Sequence, residues 1–588
     1  MKPHLGKNQK KTISTRAILI GLWYHLSRRR RFQLAGLIVV MLASGISELL
    51  SLGAILPFLA VLSDPEHLWE QPLVKNIAVI LNINKSSDLL IPAIFVFALV
   101  AVLAALIRLI NLWFNGRLSA AIGSDLSCDA YRRTLYQPYS VHVQRNTSVV
   151  ITATTTQISR TVNALSALLQ LVTSGIVAAA ILTGLVLVDV VVAIATAFLF
   201  GSVYILLALL TRRELRQNSI LISSMYNLQV KFLQEGLGAI RDVLLDGNQQ
   251  LYVGIYRKAE LPLRNLQAKN RFLSAFPRYA IEALGLVAIS VVGGFMVLQK
   301  GLDSTVIPVL GALALGAQRL LPALQQVYSS WSAIKSYTAD LQGVLEMLNQ
   351  PLPSLETSVD PLILRQGLSF KSVHFSYGKD QPEVLRGLNL EVSCGERIGI
   401  VGKTGSGKST TVDLIMGLLS PTSGHIFVDG CDLHDPLCPD RLLAWRASIA
   451  HVPQSIYLSD SSIAQNIAFG IPEDKIDFDR VRLVANQAQI GGFIESSQHG
   501  YDTVVGERGI CLSGGQRQRI GIARALYRKA NVLILDEATS ALDNNTELNL
   551  MEAIDQLNPE LTIIMVAHRL STLKSCDRII SIDSLPIH

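Results

Sequence analysis

Charge is scarce in this sequence. Asp, Glu, Lys and Arg make up 16% of its 588 residues, against about a quarter in an ordinary soluble chain. Hydrophobic residues reach 50% and the mean hydropathy is +0.37. Neither a single large soluble enzyme nor a disordered chain has that composition; an integral membrane protein does. A strong excess of one sign is missing too. The 52 Lys and Arg against 45 Asp and Glu leave +7, too little over this length to argue for nucleic acid as a partner. Cys128, Cys394, Cys431, Cys438, Cys511 and Cys576 form no CxxC pair, which points to reduced, non-ligating thiols in a cytosolic compartment. The basic first 31 residues hold no small-residue cleavage site before the first long apolar run, so a secretory signal is not expected.

What the chain does have is long apolar stretches. A hydrocarbon core needs about 20 helical residues to cross, and six stretches are predicted to do so, at about 33–62, 88–115, 160–187, 188–211, 273–299 and 304–328. Residues 13–26 precede them as a short amphipathic helix on the inner surface, with Trp23 and Tyr24 at the interface. Six spans put both ends on one side. Arg28 to Arg31, just before the first span, assign that side to the cytoplasm. The polar stretches 116–159 and 212–272 then also face the cytoplasm as helices continuing beyond the bilayer, and 63–87 is the one sizeable outer loop. Residues 349–366 read as a linker with Pro351 and Pro353. From 367 onward short Val/Ile/Leu runs alternate with helical patterns and glycine turns, the mark of a soluble α/β domain. The expected fold is thus an α-helical six-span transmembrane domain (1–348) followed by an α/β P-loop nucleotide-binding domain (367–588).

Phosphate chemistry is concentrated in that second domain. Gly402-Lys403-Thr404-Gly405-Ser406-Gly407-Lys408-Ser409 follows the strand Arg397–Val401 and opens a helix, the context a P-loop requires. Its glycines let backbone N–H groups wrap a phosphate, Lys408 neutralises β/γ charge, and the Ser409 hydroxyl reaches Mg²⁺. Val532-Leu533-Ile534-Leu535-Asp536-Glu537 is an apolar strand ending in two carboxylates. Asp536 suits a Mg²⁺ contact, and Glu537 suits a general base for the attacking water. In isolation a solvated acidic cap on a strand would be the simpler reading; after a P-loop it is the weaker one. Leu512-Ser513-Gly514-Gly515-Gln516 stands just before a helix carrying Arg517 and Arg519, and such a turn is an anion site through its free N–H groups and dipole.

These motifs are those of ATP-binding cassette (ABC) transporters, and the chain resembles that family over nearly its whole length. The resemblance implies ATP and Mg²⁺ as cofactors, with Gly402, Thr404 to Ser409 and Thr410 around the phosphates. Tyr377, in Phe375-Ser376-Tyr377-Gly378, matches the aromatic that stacks on adenine. Gln454, in Val452-Pro453-Gln454, matches the glutamine that senses Mg²⁺ and meets the membrane domain. Asp543, in Ser540-Ala541-Leu542-Asp543, lies in the loop that crosses between cassettes, and His568 matches the histidine that contacts the γ-phosphate. Taken alone, Tyr377 would be a strand-edge tyrosine and His568 a structural histidine. In this family the signature turn, here Ser513 to Gln516, closes over the P-loop ATP of a second cassette. One P-loop and one signature therefore imply a homodimer with two composite sites, and intact Glu537 and His568 speak against an ATP-gated channel or sensor.

Six spans fused ahead of one cassette resemble the exporter branch. Thr503 to Gly509 resembles that branch's contact segment to coupling helices, which are placed near 137–146 and 234–246. No protease-like domain precedes the first span, so a peptide exporter that trims its own cargo is not expected. The cargo has to come from the membrane half. Arg108, Arg278 and Arg319 lie inside or near the ends of predicted spans, where an ionised arginine costs about 2.5–3.5 kcal/mol on insertion scales. Either they pair with carboxylates such as Glu48 and Glu282, or they form a cationic lining for an anionic cargo. Ile46-Ser47-Glu48 with Leu56-Pro57-Phe58, Phe276-Pro277-Arg278-Tyr279 with Glu282, and Gln318-Arg319-Leu320-Leu321-Pro322 are similar to bacterial lipid-linked oligosaccharide flippases. In those proteins arginines at the matching positions line the outward cavity and are associated with the pyrophosphate. The implied cargo is a membrane lipid of amphipathic, anionic kind, with a polyprenyl-pyrophosphate-linked glycan in front. A multidrug or peptide exporter is the alternative within transport.

Overall fold

The structure, a computed structural model, describes residues 14–63, 89–188, 190–300, 306–352, 359–378, 380–538, 546–548, 551–552, 560–567 and 572–582. The chain divides into two compact units: Met1–Gln137 with Arg145–Pro353, and Pro138–Gln144 with Ser354–His588.

Unit one is helical. Its first helix, α1 (Thr15–His25), starts where the Ser14 side chain accepts from the Ala17 N–H at 3.2 Å, satisfying one of the four orphan donors of a helix start. It buries Ile18 and Leu22, one turn apart, and leaves Trp23 and Tyr24 exposed. Next come α2 (Arg28–Ser63) and α3 (Leu90–Leu135). At 46 residues α3 is roughly 70 Å long, more than twice a hydrocarbon core of about 30 Å. The following unit-one helices are α5 (Thr147–Thr152), α6 (Ile158–Val188), α7 (Val190–Gly238), α8 (Ile240–Leu245), α9 (Gln249–Lys300), α10 (Val306–Ser336) and α11 (Thr338–Leu348), while α4 (Tyr139–Gln144) belongs to unit two. Each predicted span falls on one of the long helices, in order α2, α3, α6, α7, α9 and α10. Among the described residues, Arg28–Ser51, Leu90–Leu135, Thr147–Leu187 and Thr196–Gly238 are long and apolar enough to cross a membrane. Ile18, Leu22, Ile122, Leu126, Leu341 and Val344 form one core that ties α1, α3 and α11 together.

Unit two carries two sheets. Strands β1 (Gly367–Phe375), β2 (Leu385–Ser393), β4 (Ser423–Val428) and β5 (Cys431–Asp432) make an antiparallel sheet in the order β2-β1-β4-β5. The second sheet is parallel, with β3 (Arg397–Val401), β6 (Ile449–Val452), β7 (Val532–Asp536), β8 (Thr562–Val566) and β9 (Arg578–Ser581) ordered β6-β7-β8-β3-β9. Every residue of β8 and the first four of β7 are buried, as covering a parallel sheet on both faces demands. The loops that follow β3 and β7 leave the same edge of this sheet, the carboxyl ends where ligands bind in α/β folds. All six cysteines are free thiols, four of them exposed.

Candidate nucleotide site and membrane cavity

The loop after β3 turns into α12 (Lys408–Ile415) through Gly405 and Gly407, at φ +87° and +93°. A side chain on Gly407 would be strained by that backbone and would meet Leu385 Cδ2 at 2.7 Å. Lys408 is buried and its Nζ donates to the carbonyls of Gly402 and Lys403 at 2.6 and 2.9 Å. The ammonium is therefore held against the carbonyls of the loop itself. Ser409 is exposed beside it. Thr410 Oγ1 lies 3.1 Å from the Tyr377 hydroxyl, and that ring stands edge-on to Phe375 at 4.9 Å. Tyr377 is thus brought against the P-loop helix. Its carbonyl accepts from Gln144 Nε2 of α4 at 2.5 Å. Tyr139 on the same short helix has its hydroxyl pKa raised, first by burial and then by the charges of Asp413 and Tyr377.

Asp536 ends β7, and Glu537 follows it at φ +49°. A non-glycine residue in that left-handed region costs of order 1–3 kcal/mol and persists where function holds it. Glu537 N–H donates to the Val566 carbonyl at 2.9 Å, and Gln454 Nε2 donates to Glu537 Oε2 at 2.7 Å. Two of the residues predicted for catalysis are therefore in direct contact.

Asp413 joins them without having been singled out from sequence. Its carboxyl is pushed up to about 6 by burial and then by the charge of Asp536. The signal was present: Asp413 lies four residues after Ser409, on the same face of α12. Hydroxyl and carboxylate oxygens with two repelling acids suit a hard divalent cation. Ser409, Asp536 and Gln454 would hold Mg²⁺, which supplies neutralisation of phosphate charge.

The turn before the helix Gly514–Tyr527 is built as a capping box. Ser513 Oγ accepts from the Gln516 N–H at 3.2 Å, and Gln516 Oε1 accepts from the Ser513 N–H at 2.8 Å. Ser513 and Gly514 are exposed, so the helix start presents its remaining donors outward. Asp543, with the loop Ser540–Leu542, and His568 lie outside the described residues.

A sequence profile described as ABC transporter matches residues 385–540. The bacterial exporter structure titled "Structure of a bacterial Atm1-family ABC exporter with ATP bound" superposes with a TM-score of 0.73 at 25% identity, covering 94% of this chain and 93% of that one. The chain has the fold of an ABC exporter, and its second unit carries the ABC transporter profile. Relatives of the chain include proteins named ATP-dependent lipid A-core flippase. The one from Chromohalobacter salexigens is 39% identical over 297 residues, 50% of each chain. That from Cupriavidus metallidurans is 27% identical over 496 residues, 84% of this chain and 82% of its own. The chain spans about half the length of the first curated relatives it matches.

In unit one, two of the three predicted arginines have partners among the described residues. Arg108 Nη1 lies 3.0 Å from Glu48 Oε2, and Glu48 is 5% exposed. Arg278 Nε lies 2.9 Å from Glu282 Oε1, one helical turn on, with both side chains about half exposed. Arg319 falls on α10, and its side chain lies outside the described residues.

Sequence reading missed a cavity of about 540 Å³ between α3, α6 and α10, lined by Asn115, Ser166, Gln170, Gln326, Ser329 and Ser330 together with small and apolar residues. Among the described lining residues none is charged. Asn115 is 4% exposed, and its Oδ1 has no hydrogen-bond partner. Ser166 with Gln170 and Gln326 with Ser330 are pairs four residues apart. That is a polar stripe on an apolar helix, and it was the available signal.

Proposed function

We propose that the chain is an ATP-driven exporter, a flippase that works as a homodimer in the bacterial plasma membrane with its cassettes in the cytoplasm. Its cargo is an anionic glycolipid, with a lipid-linked oligosaccharide as the leading candidate. The observation that carries the cargo reading is the uncharged cavity with its unpartnered Asn115 carbonyl. Amides and hydroxyls both donate and accept, which is what the hydroxyls of a sugar need; a greasy drug needs neither. Arg108 and Arg278, though paired, remain about half exposed, so each guanidinium has donors left for phosphate oxygens. The relatives named lipid A-core flippases support lipid A-core as the second cargo reading.

For the power stroke, Glu537 takes the proton of the attacking water, and Gln454, donating to its Oε2, holds the carboxylate in orientation. Lys408 and the loop N–H groups hold the phosphates, and the Ser513 turn of a second copy closes over them. Leu237, Leu244 and Leu245 are exposed around α8. Such a patch on a cytoplasmic helix suits burial against a second copy. The test is flipping of a labelled polyprenyl-pyrophosphate oligosaccharide in proteoliposomes, beside a labelled lipid A-core. ATP-dependent movement of the first, absent in Glu537→Gln, is expected. Movement of only the second selects the other cargo, and ATP hydrolysis that moves neither overturns the glycolipid reading.

A further inference from the structure

A second concavity of about 540 Å³ lies on unit one, away from the uncharged cavity, and its walls have the opposite chemistry. Helix α7 contributes Ile205, Leu209, Arg212, Arg213 and Arg216. Ile205, Leu209, Arg212 and Arg216 recur every three or four residues and share one helix face, with Arg213 beside Arg212 and one turn after Leu209. Along that face the lining changes from exposed apolar to cationic between Leu209 and Arg212, a rise of about 5 Å. So sharp a change on a spanning helix marks the boundary between hydrocarbon and water. From α10 come Trp331 and Lys335, again one turn apart, and the start of α1 closes the third side with Ser14 and Thr15. Lys335 Nζ donates to Thr15 Oγ1 at 3.1 Å. Four cations therefore line one hollow, and no carboxylate stands among its described lining residues. The nearest acid on that helix in sequence, Glu214, pairs with Lys269.

The cost of this arrangement shows at Lys335. Lys335 is half-buried, and its pKa is lowered first by burial and then by the charges of Arg216 and Arg212. Like charges gathered at a water boundary are stabilised by an anion with several acceptor oxygens, and guanidinium forks match phosphate oxygens best. We infer that this hollow binds the phosphate of an anionic phospholipid of the cytoplasmic leaflet, with its acyl chains along Ile205 and Leu209, and that the lipid clamps α1 onto α7 and α10. The apolar wall continuous with the cationic one is what distinguishes a lipid from a free phosphate.

The experiment uses the full-length protein in a neutral detergent. Phosphatidylglycerol, phosphatidylcholine of the same chains, or inorganic phosphate is added, with the thermal midpoint and retained lipid read by scanning fluorimetry and native mass spectrometry. Phosphatidylglycerol is expected to stay bound and raise the midpoint by several degrees, with the other two nearly inert. Arg212→Gln with Arg216→Gln should weaken phosphatidylglycerol binding about tenfold or more, and Arg213→Lys should retain it. Lys335→Met, which removes a half-buried charge, serves as the second probe if the double variant does not fold, and it should also bind more weakly. Equal shifts from phosphatidylcholine, equal shifts from inorganic phosphate, or undiminished phosphatidylglycerol binding in the double variant and in Lys335→Met would each overturn the assignment.

Discussion

At the scale of single residues, the contact between Gln454 and Glu537 concentrates the chemistry of the cassette. Glu537 is held at positive φ by its own backbone bond to Val566, so its carboxylate is aimed rather than free to drift. Glu537→Gln keeps the shape and removes the base. ATP turnover is expected to fall by about two orders of magnitude or more while nucleotide affinity stays near wild type, measured by steady-state ATPase and a fluorescent-nucleotide titration. Lost affinity instead would make Glu537 a binding residue.

The arginines separate by burial. Arg108 neutralises a Glu48 that is 5% exposed, so Arg108→Ala strands a buried carboxylate at a cost of about 3–5 kcal/mol. A lower thermal midpoint, mostly restored by adding Glu48→Gln, is the expected result. If Arg108→Ala keeps the wild-type midpoint and loses only flipping, the arginine serves the cargo and not the carboxylate. Arg278 and Glu282 are both well exposed, and such pairs contribute about 0–1 kcal/mol. Arg278→Ala should therefore fold normally, and any defect in its flipping reports on cargo directly.

At the scale of elements, much was legible because each element announces itself by period or by punctuation. Val532–Leu535 reads as a buried parallel strand because it is apolar without alternation, and Gly402–Gly407 reads as a loop because its glycines allow the left-handed turns seen at Gly405 and Gly407. Asn115, Gln170 and Gln326 were not legible as one cavity: they sit on three helices far apart in sequence, and no local pattern says that those helices meet. Asp413 was missed for a related reason, since its meaning comes from Asp536 on a distant strand. The place of α4 in the cassette unit is likewise a tertiary fact.

Strand β6 carries a consequence for pH. His451 packs there with its Nε2 buried and unpartnered, and burial drops its pKa to about 4. The unfolded chain binds that proton near pH 6.5. The neutral ring's contribution is therefore complete above that value and lost as pH falls through 4, for a total of about 3 kcal/mol. Unfolding midpoints of the full-length protein between pH 7 and 4.5 should fall less for His451→Leu than for wild type. An unchanged slope would place the acid sensitivity elsewhere.

At the scale of the whole molecule, the question is whether each ATP sits between two copies. The Ser513 turn is exposed and capped for an anion, and a single chain supplies one P-loop and one such turn. Consider two inactive chains, one with Lys408→Ala and the other with Gly514→Asp, co-expressed with different tags and purified through both. In the mixed dimer one site combines both defects, while the other combines an intact P-loop with an intact turn. Composite sites thus predict that doubly tagged dimers regain ATPase, up to about half the wild-type rate given two equivalent sites per symmetric pair. Sites completed within one chain predict no recovery, because each chain then carries its own defect. To separate a silent but assembled site from an absent one, nucleotide trapped with vanadate is counted on the same dimers. One trapped nucleotide per mixed dimer supports the shared site even if turnover needs both sites to alternate, and none removes it.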